Sequence, residues 1–135
     1  MKNNDSSLKD AYCIGCGKDN PIGLKLEYFQ NSDGEIVTES KLDREFEGYQ
    51  GIVHGGIISL ILDETCAKAV HFAGYKGVTA RIKVSFLRPF RVGEDFICSA
   101  KAEDPDGRRI TVKAQLNSEG ELKARCECIF VIIED

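Results

Sequence analysis

In the stretch GYQGIVHGGIISLILDE, residues 48–64, a histidine and two glycines lead into Ile57, Ile58, Leu60, Ile61 and Leu62, and then two acids, Asp63 and Glu64, close the run. The spacing predicts a helix from Gly55 to Phe72 or Ala73, ended by Gly74 and Gly77. A helix that is apolar on every side through its first half is buried on every side. Elsewhere the pattern alternates with period two. LKLEYF (24–29) and EIVTESKL (35–42) predict a hairpin around the NSDG turn at 31–34. Four more strands follow at 78–87, 95–103, 108–117 and 121–133, with DPDG and NSEG as turns between the last three. In the first of these, strict alternation places Val78, Ala80, Ile82, Val84 and Phe86 on one face and Thr79, Arg81, Lys83 and Ser85 on the other, until Pro89 ends it.

The order β-β-α-β-β-β-β predicts an α+β fold, in which a curled antiparallel sheet of five to six strands wraps one central helix. One curled sheet leaves a side of the helix and a sheet edge open. A second copy of the chain closes both, so at least a dimer is expected. CIGCGKDNPIGLKL is rich in Gly, Asn and Pro and reads as a loop leading into the first strand. Residues 1–11 are expected as a flexible tail and 12–135 as a single domain.

Composition narrows the classes. At 135 residues the chain is long enough for a real core. A net charge of −4 argues against general nucleic-acid binding, which needs a basic surface. No apolar run has transmembrane length, and the start MKNNDSSLKD lacks the apolar segment of a signal peptide, so the cytoplasm is the expected location. Of the six cysteines, Cys126 and Cys128 alternate on one face with Ala124, Phe130 and Ile132, Cys98 lies between Phe96 and Ala100, and Cys66 falls in the helix. These four read as small buried hydrophobes in a reduced compartment. Cys13-x-x-Cys16 has the spacing of half a zinc site, but no second pair accompanies it in the sequence, and a redox motif would need a βαβ context. It reads as packing, with no metal expected.

Asp63 and Glu64 point about 100° apart on a helix and cannot work as a pair on one atom. Glu64 has Lys68 at i+4 as a surface partner. Asp63 has Ser59, Leu60, Cys66 and Ala67 as its helix neighbours, and none is a cation. A carboxylate on an apolar stripe is either satisfied by a distant group or poised as a general base, and the residues alone leave both open. At the helix start the first N–H groups lack helical partners, and Gly55 and Gly56 carry no side chain to block approach. That suits a developing oxyanion, and equally a tight loop-to-helix turn. Gly55 and Asp63 are separated by about 12 Å of helix. They cannot touch one carbonyl within a chain, but Gly55 of one copy can face Asp63 of another.

GIVHGGIISLILDE, with VSFLRPFRVGE downstream and the CIGCGKDNPIGLKL leader, resembles the hotdog-fold thioesterases of the PaaI-like type over roughly residues 12–134. The resemblance implies hydrolysis of acyl-CoA thioesters at sites shared across a homodimer, with a dimer of dimers as the whole. It implies that Gly55 donates its N–H to the thioester oxygen and that Asp63 of the partner chain acts as general base or nucleophile. Thr79 would orient water, and His54 would shape the turn. Some relatives carry an asparagine six residues before the histidine as a second carbonyl donor. Here Gly48 stands there, and Gln50 is the nearby substitute. Gly56 and Glu64 join the substrate-contacting positions.

Arg81, Lys83, Arg88 and Arg91 form a basic group in an acidic chain, suited to coenzyme A phosphates or simply to a solvated face. Tyr49 and Phe72 are candidates to line an acyl tunnel, and His71 a charge at the helix C-terminus. No cofactor is required beyond the coenzyme A of the substrate. The alternatives are a non-catalytic acyl-CoA-binding module, a hydratase or dehydratase (for which His54 and His71 are badly spaced), and a small zinc or thiol protein.

Overall fold

The structure, a computed structural model, describes residues 10–133. Six antiparallel strands form one sheet: β1 (Phe29–Gln30), β2 (Ile36–Lys41), β3 (Gly77–Phe86), β4 (Asp95–Ala102), β5 (Arg109–Ser118) and β6 (Glu121–Ile132). Their spatial order is β1-β2-β4-β5-β6-β3, so β3 is an edge strand. The sheet wraps a single helix, α1 (Gly55–Phe72). This is the curled sheet around one helix that the pattern predicts, and the hotdog fold that the resemblance implies.

Inward residues of β4, β5 and β6 meet Ile58, Ile61, Leu62, Cys66, Ala69 and Val70 of the helix in one core. Cys66, Cys98, Cys126 and Cys128 are all buried in it, as their period-two placement implies. Glycine ends the helix. Gly74, at φ +96°, turns the chain so that its N–H donates to His71 O and the Tyr75 N–H reaches back to Val70 O. Ile57 and Leu60 are only half-buried, so one chain alone does not cover the whole apolar helix.

Two expectations need correction. The first strand is two residues long, not six. Leu26 and Tyr28 point into the core as alternation requires, but the backbone N–H groups of Leu24 and Leu26 donate to Ile14 O and Gly15 O of the cysteine loop instead of to a strand. The other concerns the faces of β3. Its register against β6 shifts between Thr79 and Arg81, leaving Ala80 as a bulge. Thr79 stands opposite Phe130, and Ile82 stands opposite Cys128, both buried. Directly opposed residues share a face, so Thr79 joins Ile82, Val84 and Phe86 on the helix side. Val78, Arg81, Lys83 and Ser85 face outward.

Asp10 and Ala11 are hydrogen-bonded into the cysteine loop, through Cys13 N–H to Asp10 O and Asp19 N–H to Ala11 O. Residues 1–9 of the expected tail lie outside the described residues. Among the described residues, no helix is long and apolar enough to cross a membrane.

Candidate active site

The loop before α1 is braced on both sides. His54 N–H donates to Phe46 O at 2.9 Å and Val53 N–H to Phe90 O at 2.8 Å. Gly51, at φ +78°, lets the chain turn tightly, and Ile52 N–H closes the turn on Tyr49 O. His54 then caps the helix. Its Nδ1 accepts from Gly56 N–H at 2.8 Å, and its carbonyl accepts from Ile57 and Ile58. The Gly56 donor is therefore engaged. Gly55 N–H has no acceptor among the described residues and lies at the positive end of the helix.

A Cβ on Gly55 would meet the Phe86 ring at 3.5 Å, so the free donor sits beside an aromatic wall that is itself 55% exposed. Nothing local in the sequence marks Phe86 as a site residue. Its only signal was its place on the inward face of a strand that the bulge had still to define.

Gly48 cannot carry the asparagine found in some relatives without rearrangement. A Cβ there would lie 2.9 Å from His54 Cα and 3.2 Å from its ring. Gln50 and Tyr49 are exposed on the turn. Arg91 lies next to this turn, bridged to Ile52, with Val92 N–H donating to Gly51 O. Of the basic residues, Arg91 is thus at the Gly55 end of the helix, while Arg81 and Lys83 face out from the far side of the sheet. Arg88 is exposed just beyond β3.

Two turns along the helix, Asp63 is half-buried, and its partner comes from another element. Thr79 Oγ1 donates to Asp63 Oδ1 at 2.8 Å. The bulge is what makes the bond possible, because in a regular strand Thr79 would face away from the helix. Behind them, Cys66 and Cys126 bring their sulfurs to 3.6 Å, and Cys126 and Cys128 to 3.8 Å. Hydrogen bonding to Cys126, then burial and the nearby Asp63 charge, push the Cys128 thiol up. It stays a neutral part of the wall.

Glu64 does not join Asp63. It turns to the cysteine loop, where Cys13 Sγ donates to its Oε1 at 3.5 Å. Nor does it form the expected exposed pair with Lys68. That lysine is buried, with its ammonium 6.0 Å from the centre of the Tyr28 ring. Phe72 is half-buried, edge-on to His71 at the helix end.

One chain therefore presents a carboxylate held by a hydroxyl and, about 12 Å away on the same helix, an unused N–H at a helix start. The family model for the thioesterase superfamily matches residues 50–124, more than half of the chain. The acyl-coenzyme A thioesterase THEM4 of Xenopus laevis is 32% identical over 117 residues, covering 83% of this chain and 52% of that protein. The chain spans about half the length of the curated acyl-coenzyme A thioesterases it matches. Among solved structures, the thioesterase superfamily protein RHA08564 superposes with a TM-score of 0.83 at 28% identity, covering 87% of this chain and 62% of that one. The protein smu.793 from Streptococcus mutans, solved bound to acetyl CoA, superposes with a TM-score of 0.75 at 14% identity, covering 82% and 90%. With a family model that matches more than half of the chain and covers α1, β3, β4 and β5, this chain belongs to the hotdog-fold thioesterase superfamily.

Proposed function

We propose that the protein is an acyl-CoA thioesterase of the PaaI-like type, working as a homodimer with two shared sites and assembling further as a dimer of dimers. The observation that carries the reading is the Thr79–Asp63 hydrogen bond, made by a bulge that turns one hydroxyl toward the only acid on the helix stripe. Gly55 N–H is too far along the same helix to serve that acid, so the oxyanion donor would come from the partner copy. The exposed inward residues of β3, Ile82 and Phe86, and the half-buried Ile57 and Leu60 support a second copy against this edge.

In this reading the thioester oxygen accepts from Gly55 N–H, aided by the helix dipole. Asp63 of the other chain takes a proton from water as its oxygen attacks the acyl carbon. The carbon–sulfur bond then breaks, the electron pair leaves on coenzyme A sulfur, and the proton passes from Asp63 to that thiolate. The products are the free acid and coenzyme A. Thr79 keeps one carboxylate oxygen occupied so that the other faces the water. Direct attack by Asp63, giving an acyl anhydride that water then opens, uses the same groups. Arg91 is the side chain best placed to meet coenzyme A phosphates near the helix start, with the exposed Arg88 as a second candidate. The relatives' names and the acetyl CoA bound to smu.793 support this substrate class. Six free thiols fit a reducing compartment such as the cytoplasm.

The test is release of free thiol from short, long and aromatic acyl-CoAs by wild type and Asp63→Asn. Asparagine keeps the size of the residue and loses the base. Loss of about 100-fold or more in kcat, in a folded protein of unchanged assembly, is expected. Binding of acyl-CoA without turnover in wild type would favour a carrier or sensor instead. Equal turnover in both proteins would move the chemistry away from Asp63.

A further inference from the structure

The loop ahead of β1 carries chemistry that thioester hydrolysis does not use. Its turn is tight, with Gly17 N–H donating to Cys13 O at 2.8 Å. Gly17 has no room for a side chain, since a Cβ would lie 2.4 Å from Ala11 O and from Cys13 N. Gly15 lies directly on Glu64, with a Cβ position 2.7 Å from Glu64 Cγ. These close approaches press the loop onto α1. They bring Cys13 Sγ, Cys16 Sγ and a Glu64 carboxylate oxygen within 4.8 Å of one another. The third group, 51 residues from Cys13, is the one that local spacing in the sequence could not supply.

From this geometry we propose that Cys13, Cys16 and Glu64 bind one Zn²⁺, with the fourth position filled by water reached past the half-buried Cys13. Two thiolates and a carboxylate are donors that zinc accepts, with metal–sulfur bonds of about 2.3 Å and metal–oxygen bonds of about 2.1 Å. In a tetrahedron with those bonds the sulfur–oxygen edge is about 3.6 Å. The Cys13 Sγ–Glu64 Oε1 separation is 3.5 Å. Cys16, 2% exposed, and Lys68, 8% exposed, place the inner half of the site out of water, where net charge is costly. Lys68 makes the charges balance. With Glu64 as carboxylate and Lys68 as ammonium, the cluster is neutral while both thiols are protonated. Entry of Zn²⁺ with departure of two thiol protons leaves it neutral again.

The ion would join the loop to the helix one residue from Asp63, as a structural clamp with no step in hydrolysis. Among the described residues, the buried trio Cys66, Cys126 and Cys128 is the other group with ligand spacing. It has no carboxylate and lies wholly within the core, which makes it the control.

The experiment uses the full chain purified under reducing conditions without chelator. Zinc is measured by mass spectrometry, and the stripped protein is then titrated with Co²⁺ and followed by its thiolate-to-cobalt absorption. About one metal per chain is expected, with saturable cobalt uptake displaced by zinc. Cys13→Ser/Cys16→Ser should lose both signals, Glu64→Gln should bind cobalt more weakly with a changed ligand-field spectrum, and Cys66→Ala should behave as wild type. Should the double variant fail to fold, Zn²⁺ protection of two thiols against a thiol reagent in wild type supports the site, and lack of that protection counts against it. A wild-type chain with no zinc and no saturable cobalt uptake overturns the proposal. So does uptake that survives loss of Cys13 and Cys16 but disappears in Cys66→Ala.

Discussion

Asp63 and Thr38 show two fates for a polar group on an apolar face. Asp63 sits at the margin of the core and gains a charge-assisted hydrogen bond from Thr79. Thr38 is fully buried on β2, and its Oγ1 has no hydrogen-bond partner among the described residues. A buried hydroxyl without a partner costs about 1–3 kcal/mol of desolvation. Thr38→Val keeps the shape of the side chain and removes that cost. We expect the variant to be more stable by about 1 kcal/mol in urea denaturation, and a loss of stability would mean that the hydroxyl is satisfied. The same scale explains why Gly48 is not an asparagine. His54 fills the space above it while capping the helix through Gly56. A second carbonyl donor at position 48 and this packing of the histidine compete for one volume.

At the scale of elements, β3 is the part of the sheet that one chain leaves unfinished. It lies at the edge, and Val78, Ile82 and Phe86 are 51%, 37% and 55% exposed. An edge strand with apolar side chains and unpaired backbone groups is a template for pairing. Ile82→Lys places a charge where two such strands would meet. The variant is expected to sediment as a monomer and to lose acyl-CoA hydrolysis together with assembly. If it remains dimeric and active, the strand is not the interface and the shared-site reading fails. The bulge at Ala80 belongs to this scale as well, since one extra residue decides which face Thr79 joins.

For the whole molecule, burial of the thiols ties stability to alkaline pH. Burial pushes the Cys98 thiol from 9.0 up to about 12. Below pH 9 the thiol is protonated in both folded and unfolded chains and stability is unaffected. Between about pH 9 and 12 the unfolded chain releases this proton while the folded one retains it, so stability falls as pH rises, by up to about 1.4 kcal/mol per unit. Cys98→Ala removes that contribution. Urea midpoints for the two proteins should converge as pH is raised from about 8 to 11. Parallel curves would show that the thiol ionises as readily in the fold as outside it.

The sequence by itself determined the helix and most of the sheet. The aliphatic run at 57–62, the period-two strands and the turn residues around Gly34, Gly74, Gly107 and Gly120 are local signals, and each is strong enough to act without its neighbours. It also placed the free N–H at Gly55 and the acid at Asp63, because both depend only on helix geometry. Tertiary structure decided the partners. Thr79 reaches Asp63 through a register shift that exists only when β3 lies against β6, and alternation along one strand gives the opposite face. Glu64 turns to the cysteine loop and Lys68 lies buried over the Tyr28 ring, contacts that distant segments supply. β1 shrinks to two residues because that same loop takes its backbone donors. Each of these outcomes is a competition between a local preference and a contact supplied by a distant segment. Periodicity records the preference, and only the assembled chain brings in the contact.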